Sequence, residues 1–220
     1  MRRLLTGLAA AALSCSAASA QTPPSPVALP RADVHVVLGW QNLLVPQPQD
    51  RYNAWLNGIF YGGAGAGWFW TDHLKTQIDL GAGTRARQYR YEATTLDGNQ
   101  AYQSSRLSIR EQNVSIGQQY QFFRNQLFHP HVGGGVELVR ETRTEEFDPL
   151  IVYDSTGRVT RLVTPARVEG PTHHFLARAF VETGFKAYMT PRAFFTSDAR
   201  LMFRGGIDEV LFRTGFGVDF

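Results

Sequence analysis

The chain has 220 residues, 43% of them hydrophobic, with 22 Lys+Arg against 19 Asp+Glu, a formal charge of +3 and one cysteine. Residues 1 to 20 hold two of those cations and no acid, leaving 20 against 19, so the basic balance gives no case for a nucleic-acid partner. About 200 residues suit one domain, and past residue 20 there is no run of about 18 apolar residues that could cross a bilayer as a helix.

Arg2 and Arg3, the apolar run Leu4 to Leu13 and the small residues Ala18-Ser19-Ala20 follow the order of a secretory signal peptide, which predicts a mature chain starting at Gln21. A lipoprotein reading through Cys15 fits less well, because Leu13 sits one position too late for a lipobox. Loss of Cys15 leaves the exported chain without a thiol or a disulfide. Residues 21–31, with Pro23, Pro24, Pro26 and Pro30, predict an extended periplasmic leader outside any ladder.

From Asp33 the sequence alternates with period two, the signature of strands with two unlike faces. The first predicted strand puts Val34, Val36, Leu38 and Trp40 on one face and His35, Val37, Gly39 and Gln41 on the other. A loop covers Leu43 to Asn53. The second strand, Ala54 to Trp70, separates Phe60, Ala64, Ala66, Trp68 and Trp70 from Tyr61, Gly63, Gly65 and Gly67. Its GGAGAG run lacks the following helix that a dinucleotide loop requires; these glycines make room for long charged side chains across the inner wall. After a turn at Asp72-His73, the third strand points Ile78, Leu80 and Ala82 outward and Gln77, Asp79, Arg85 and Arg87 inward. A turn-rich loop surrounds Asp97-Gly98.

The fourth strand, Arg106 to Phe122, has Glu111, Asn113, Ser115, Gln119 and Gln121 inward, and Arg124-Asn125-Gln126 turns the chain. The fifth, Phe128 to Arg140, places His129, His131 and Glu137 inward. The longest loop, Thr144 to His173, contains a hairpin pattern around Asp154-Ser155-Thr156-Gly157. The sixth strand carries Arg178, Glu182 and Lys186 inward, and Pro191-Arg192 leads to the seventh, with Asp198, Arg200 and Arg204 inward. The eighth is Glu209 to Phe220, EVLFRTGFGVDF, with Phe212, Phe216, Val218 and Phe220 opposite Glu209, Arg213 and Asp219.

Arg213, Gly215, Val218 and the terminal Phe220 resemble the C-terminal sorting signal of bacterial outer-membrane barrels. Nearly the whole mature chain resembles the small OmpA/OmpX-like outer-membrane proteins in pattern. The resemblance implies an all-β, eight-stranded antiparallel up-and-down transmembrane β-barrel over residues 32–220, with short periplasmic turns, longer outer loops and no trailing domain. Trp68, Trp70, Tyr120, Phe122 and Phe220 form one aromatic girdle, and Trp40, Phe203 and Phe212 the other. It further implies export through the periplasm to the outer membrane. The implied partners are outer-membrane lipid and lipopolysaccharide, with the barrel assembly machinery reading the C-terminal strand; the protein acts as a monomer.

An eight-stranded barrel is filled by its own side chains, and charges taken out of water must pair. The expected lumen network is Glu137, Arg178, Glu182, Lys186, Asp198, Arg200 and Arg213. A turn centred near Pro191 sets Glu182 opposite Arg200, brings Lys186 near Asp198, and leaves Glu137 as the further anion for two arginines. His129 and His131 share a face, but with only Glu137 nearby no metal site is expected, nor any cofactor or catalytic residue. His173-His174 marks a solvated loop-to-strand boundary. The function implied is a structural, adhesive or weakly porin-like barrel with a plugged lumen. The alternatives are an outer-membrane enzyme acting on lipid A, which would need a nucleophile and base assembled across strands, and a soluble ligand-binding barrel, which the charged inner face opposes.

Overall fold

A computed structural model of the protein describes residues 31–44, 55–123 and 127–220. The expected signal peptide, nearly all of the expected Pro-rich leader, the body of the expected first loop and the expected turn at 124–126 lie outside the described residues. Eleven strands are present there: β1 (Ala32–Leu44), β2 (Trp55–Phe69), β3 (Leu74–Gly83), β4 (Ala86–Leu96), β5 (Asn99–Gln121), β6 (Phe128–Phe147), β7 (Leu150–Tyr153), β8 (Val159–Thr164), β9 (Arg167–Tyr188), β10 (Ala193–Phe203) and β11 (Ile207–Asp219).

Eight of them form a closed antiparallel ring, β1-β2-β3-β5-β6-β9-β10-β11 and back to β1. The first and last strands close it over a long register, from Asp33 opposite Asp219 to Leu43 opposite Glu209. Closure leaves no edge inside the ring, which is the condition for a sheet to stand in hydrocarbon. Arg31, expected in the leader, already joins this seam: its N–H donates to Phe220 O at 2.8 Å and its carbonyl accepts from Phe69 N–H at 2.9 Å.

The alternation resolves into two surfaces. Val36, Leu38, Trp40, Ile78, Leu80, Ile116, Leu138, Phe212 and Phe216 are exposed on the outside, while the intervening polar residues are buried inside. On β6 the outward apolar positions run from Phe128 to Leu138. At about 3.3 Å per residue and a tilt of about 40° that is a band about 25 Å tall, the height of a transmembrane barrel's apolar belt. At the short-turn end, Phe128, Phe185, Phe195 and Phe216 touch ring to ring around the rim, and Tyr120 stacks on His73.

Three departures from the sequence reading matter. β4 does not simply prolong β3: Gly83 and Ala86 are both buried while Thr84 and Arg85 between them are exposed. Two successive outward residues are a bulge, and it inverts the phase. Arg85 and Arg87 are therefore exposed rather than luminal. Second, β5, β6 and β9 have 23, 20 and 22 residues, against the 9 to 11 or so that a membrane needs. Much of the expected loop 144–173 is strand: β6 and β9 stay paired as far as Phe147 and Arg167, and β7 and β8 form a hairpin beside β5. The ends of β6 and β9 here are mostly Thr, Glu, Arg and His, with Arg143 paired to Glu141 and Arg167 to Glu169, so they carry no apolar face for a sequence reading to find. Third, His173 and His174 lie within β9, both exposed.

Candidate functional site

The lumen is a stack of charged and apolar layers, each made by the inward positions of several strands. At the short-turn end Lys75 Nζ is 2.9 Å from Asp33 Oδ2, and Lys186 Nζ bridges Asp33 Oδ2 at 3.1 Å and Asp219 Oδ1 at 2.6 Å. Lys186 also sits 3.7 Å above the Phe194 ring centre. The expected neighbourhood of Lys186 and Asp198 therefore does not become a contact. Lys186 opposes Thr196, and Asp198 opposes Gly184, so the lysine reaches down to Asp33 and Asp219 instead.

The next layer is centred on two arginines. Glu182 and Arg200 are directly opposite, and Glu182 Oε2 accepts from Arg200 Nη2 at 2.8 Å and Nε at 3.2 Å. Arg213 donates Nε to Asp198 Oδ1 at 2.8 Å and approaches Glu182 Oε2 at 3.5 Å. The further anion is Asp79, whose Oδ2 accepts from Arg200 Nη2 at 2.7 Å and Arg213 Nη1 at 3.1 Å. Its Oδ1 lies 3.0 Å from His35 Nε2. Glu137, expected in that role, sits one layer further out and accepts from Asn113 Nδ2 at 2.7 Å. Although Glu137 opposes Arg178 in register, Arg178 turns to Glu111 at 2.5 Å, to Asp208 at 2.7 Å and to Glu209.

Two apolar clusters lie among these layers. Val37, Tyr61, Phe180, Met202 and Leu211 form one, and Leu43, Ile59, Ala86 and Ile109 form the other at the outer mouth. The glycines supply the space: a Cβ on Gly65 would stand 2.6 Å from His35 Nε2 and collide with Asp79 Oδ1. Asp33, Lys75, Asp208, Glu209 and Asp219 complete the charged set. Asp33, Glu209 and Asp219 had a visible signal, since all three occupy the polar phase of their strands.

His131 is buried with neither ring nitrogen hydrogen-bonded, and His129 packs its ring 5.1 Å from Tyr188. Among the described residues no group of three His, Cys, Asp or Glu could hold a metal ion. Of the C-terminal signal positions, Arg213 points into the lumen and is almost fully buried, whereas Val218 and Phe220 are exposed on the outer wall. Gly215 lies against the β1 backbone, where a Cβ would overlap Val36 O.

In the outer extension Tyr91 stacks on Tyr102 at 5.5 Å, and Tyr102 meets Tyr153 edge-on at 5.6 Å. The β7–β8 turn is tied by Asp154, whose Oδ1 accepts from Thr156 N–H at 2.8 Å, Thr156 Oγ1 at 2.7 Å and Arg158 N–H at 3.0 Å. The Thr156 hydroxyl and then the Arg158 amide hold its carboxyl below the usual carboxylate range.

No protein-family model matches the chain, and no curated protein matches it in sequence. Solved structures do. Neisserial surface protein A is 13% identical, with 86% of this chain and 97% of that one covered at a TM-score of 0.53. The N-terminal barrel domain of Pseudomonas aeruginosa OprF is 13% identical at 0.48, covering 86% and 97%. The attachment invasion locus protein of Yersinia pestis is 8% identical at 0.47, covering 86% and 99%. The fold is that of the small bacterial outer-membrane β-barrels. At these identities the likeness speaks for the fold alone.

Proposed function

We propose that the protein is a monomeric integral outer-membrane barrel whose lumen is shut by its charge network and whose role is structural or adhesive, performed by the strands that project beyond the membrane. The observation that carries this reading is the layered lumen: Arg178, Arg200 and Arg213 are buried and bound to carboxylates from several other strands. The space bordered by His35, His131 and Asp198 is about 10 Å³, room for about one water. An ion crossing such a section would have to displace paired guanidinium and carboxylate groups. The 25 Å band and aromatic rims support residence in the outer membrane, with the short turns periplasmic. There Val218 and Phe220 offer the assembly machinery an exposed apolar edge at the strand that closes the ring.

Planar-bilayer recording of the refolded full chain tests this. Membranes with inserted protein are expected to show no stable unitary conductance. Reproducible ohmic steps from the unmodified protein would overturn the closed-lumen reading and favour a porin-like one.

A further inference from the structure

The arginines of the outer extension mostly have acidic partners: Arg90 with Glu92, Arg106 with Glu146, Arg161 with Asp97, Arg167 with Glu169. Among the described residues Arg87 and Arg158 have none, and neither do Arg85, Arg110 and Arg140. Each of the last three is exposed on the outer wall. Their height is also particular. On β5 the outward residues run Tyr120, Gln118, Ile116, Val114, Gln112 and then Arg110; on β6 they run from Phe128 to Leu138 and then Arg140. Both arginines thus stand just above the apolar band, at the long-loop end. Arg110 opposes Thr142 while Arg140 opposes Gln112, so the two are diagonal neighbours, about 7 to 8 Å apart at the backbone.

Arg85 reaches this rim because of the bulge after Gly83. Between Arg85 and Arg110 an outward groove of about 430 Å³ opens, with Phe60, Gly62, Ala82 and Thr84 as its other walls. Its lower part is apolar and small-residue, and its upper rim carries two guanidinium groups with unspent donors. We propose that this groove is a lipid site: an acyl chain lies against Phe60, Gly62 and Ala82, and the lipid's phosphate is held by Arg85 and Arg110, with Arg140 beside them. Guanidinium is the side chain suited to this task, because its planar fork meets phosphate oxygens in pairs. The occupant is a phosphorylated, acylated lipid of the leaflet at the long-loop end. The site rests on the membrane-barrel reading above.

Native mass spectrometry of the refolded full chain in non-ionic detergent tests it, using diphosphorylated lipid A and its dephosphorylated counterpart with the same acyl chains. The unmodified barrel is expected to retain the phosphorylated form roughly tenfold better, and excess inorganic phosphate is expected to leave most of that lipid bound. Arg85→Gln with Arg110→Gln should bring the ratio near unity, and Arg85→Gln alone should lower it in part. Arg161→Gln, in the β7–β8 hairpin, should leave it unchanged. No preference for the phosphorylated lipid, an unchanged ratio in the double variant, or complete displacement by inorganic phosphate would each overturn the site. Boiling should still shift the double variant's gel mobility; loss of the ratio change in a barrel that shifts normally defeats the lipid site and leaves the barrel reading standing, whereas loss of the shift in the unmodified protein defeats both.

Discussion

The central lumen layer holds three carboxylates, Asp79, Glu182 and Asp198, against two guanidinium groups, Arg200 and Arg213. That inequality makes the two signs unequal in cost. Glu182→Gln leaves Arg200 with Asp79 at 2.7 Å and Ser115 Oγ at 2.9 Å, and leaves Arg213 with Asp79 and Asp198. Two acids then face two arginines, so the expected loss is that of charge-assisted hydrogen bonds, about 1–3 kcal/mol. Arg213→Met keeps the stem but removes the ion-pair partner of Asp198, and leaves Asp79 and Glu182 to share Arg200. An uncompensated charge in a section this buried costs about 3–5 kcal/mol. The expected gap is roughly 2 kcal/mol, about thirtyfold in the unfolding constant. Adding Asp198→Asn to Arg213→Met should recover part of the loss, with a coupling of about 0.5–3 kcal/mol. Equilibrium unfolding of liposome-folded protein in guanidinium chloride measures these three variants and Asp198→Asn alone, which the coupling requires. A Glu182→Gln variant as unstable as Arg213→Met, or no recovery on neutralising Asp198, would refute the accounting by charge.

Gly65→Val should be destabilised by about 1–3 kcal/mol through overpacking against His35 and Asp79, seen as a lower denaturant midpoint; an unchanged midpoint would show the wall is not tight there. Deleting Phe220, or replacing it with a charged residue, should reduce assembled barrel in cells while export proceeds, checked by fractionation and heat-shifted mobility; normal levels would show that the terminal aromatic is not read. The β7–β8 turn should depend on pH. Because the folded Asp154 carboxyl lies below its unfolded value, its contribution is complete above the unfolded value near 4 and is lost as pH falls through the folded one. Amide protection across 150–164, taken relative to the intrinsic exchange rate at each pH, should therefore be high at pH 6 and fall at lower pH. Asp154→Ala should be weakly protected at both, and a variant protected like the unmodified chain would remove Asp154 from the turn.

Much of the barrel was legible because a lipid-facing strand must alternate, and alternation is local. Eight wall strands, their short turns and the faces of Asp79, Glu182, Arg200 and Arg213 follow from period two alone. The register between β9 and β10 follows from one short turn. Partners across the lumen do not: Arg200 and Asp79 are 121 residues apart, and their meeting depends on how ring closure staggers every intervening strand. Hence Glu137, expected there because β6 neighbours β9, yields to Asp79 from across the lumen. Much of the outer extension was illegible for a different reason. The hairpin of β7 and β8 was signalled by the turn residues around Asp154, but the extended ends of β6 and β9 alternate Thr, Glu and Arg with one another and read as loop.

The bulge after Gly83 shows how little sequence separates a lumen from a rim. Without the extra outward residue, Arg85 and Arg87 would enter the outer mouth beside Glu111 and Arg178. With it, Ala86 takes the inward position and packs with Leu43, Ile59 and Ile109. Placing a guanidinium group there would put a second arginine beside Arg178 and would cost the aliphatic contact. The inverted phase removes that burden from the interior and turns the positive charge outward at the height where the apolar wall ends. Threonine at 84 makes the step tolerable, because its hydroxyl accepts the Phe60 N–H at 3.1 Å and its own N–H reaches Phe60 O at 2.7 Å. The ladder is thereby kept satisfied through the irregularity, as a wall standing at the edge of hydrocarbon requires.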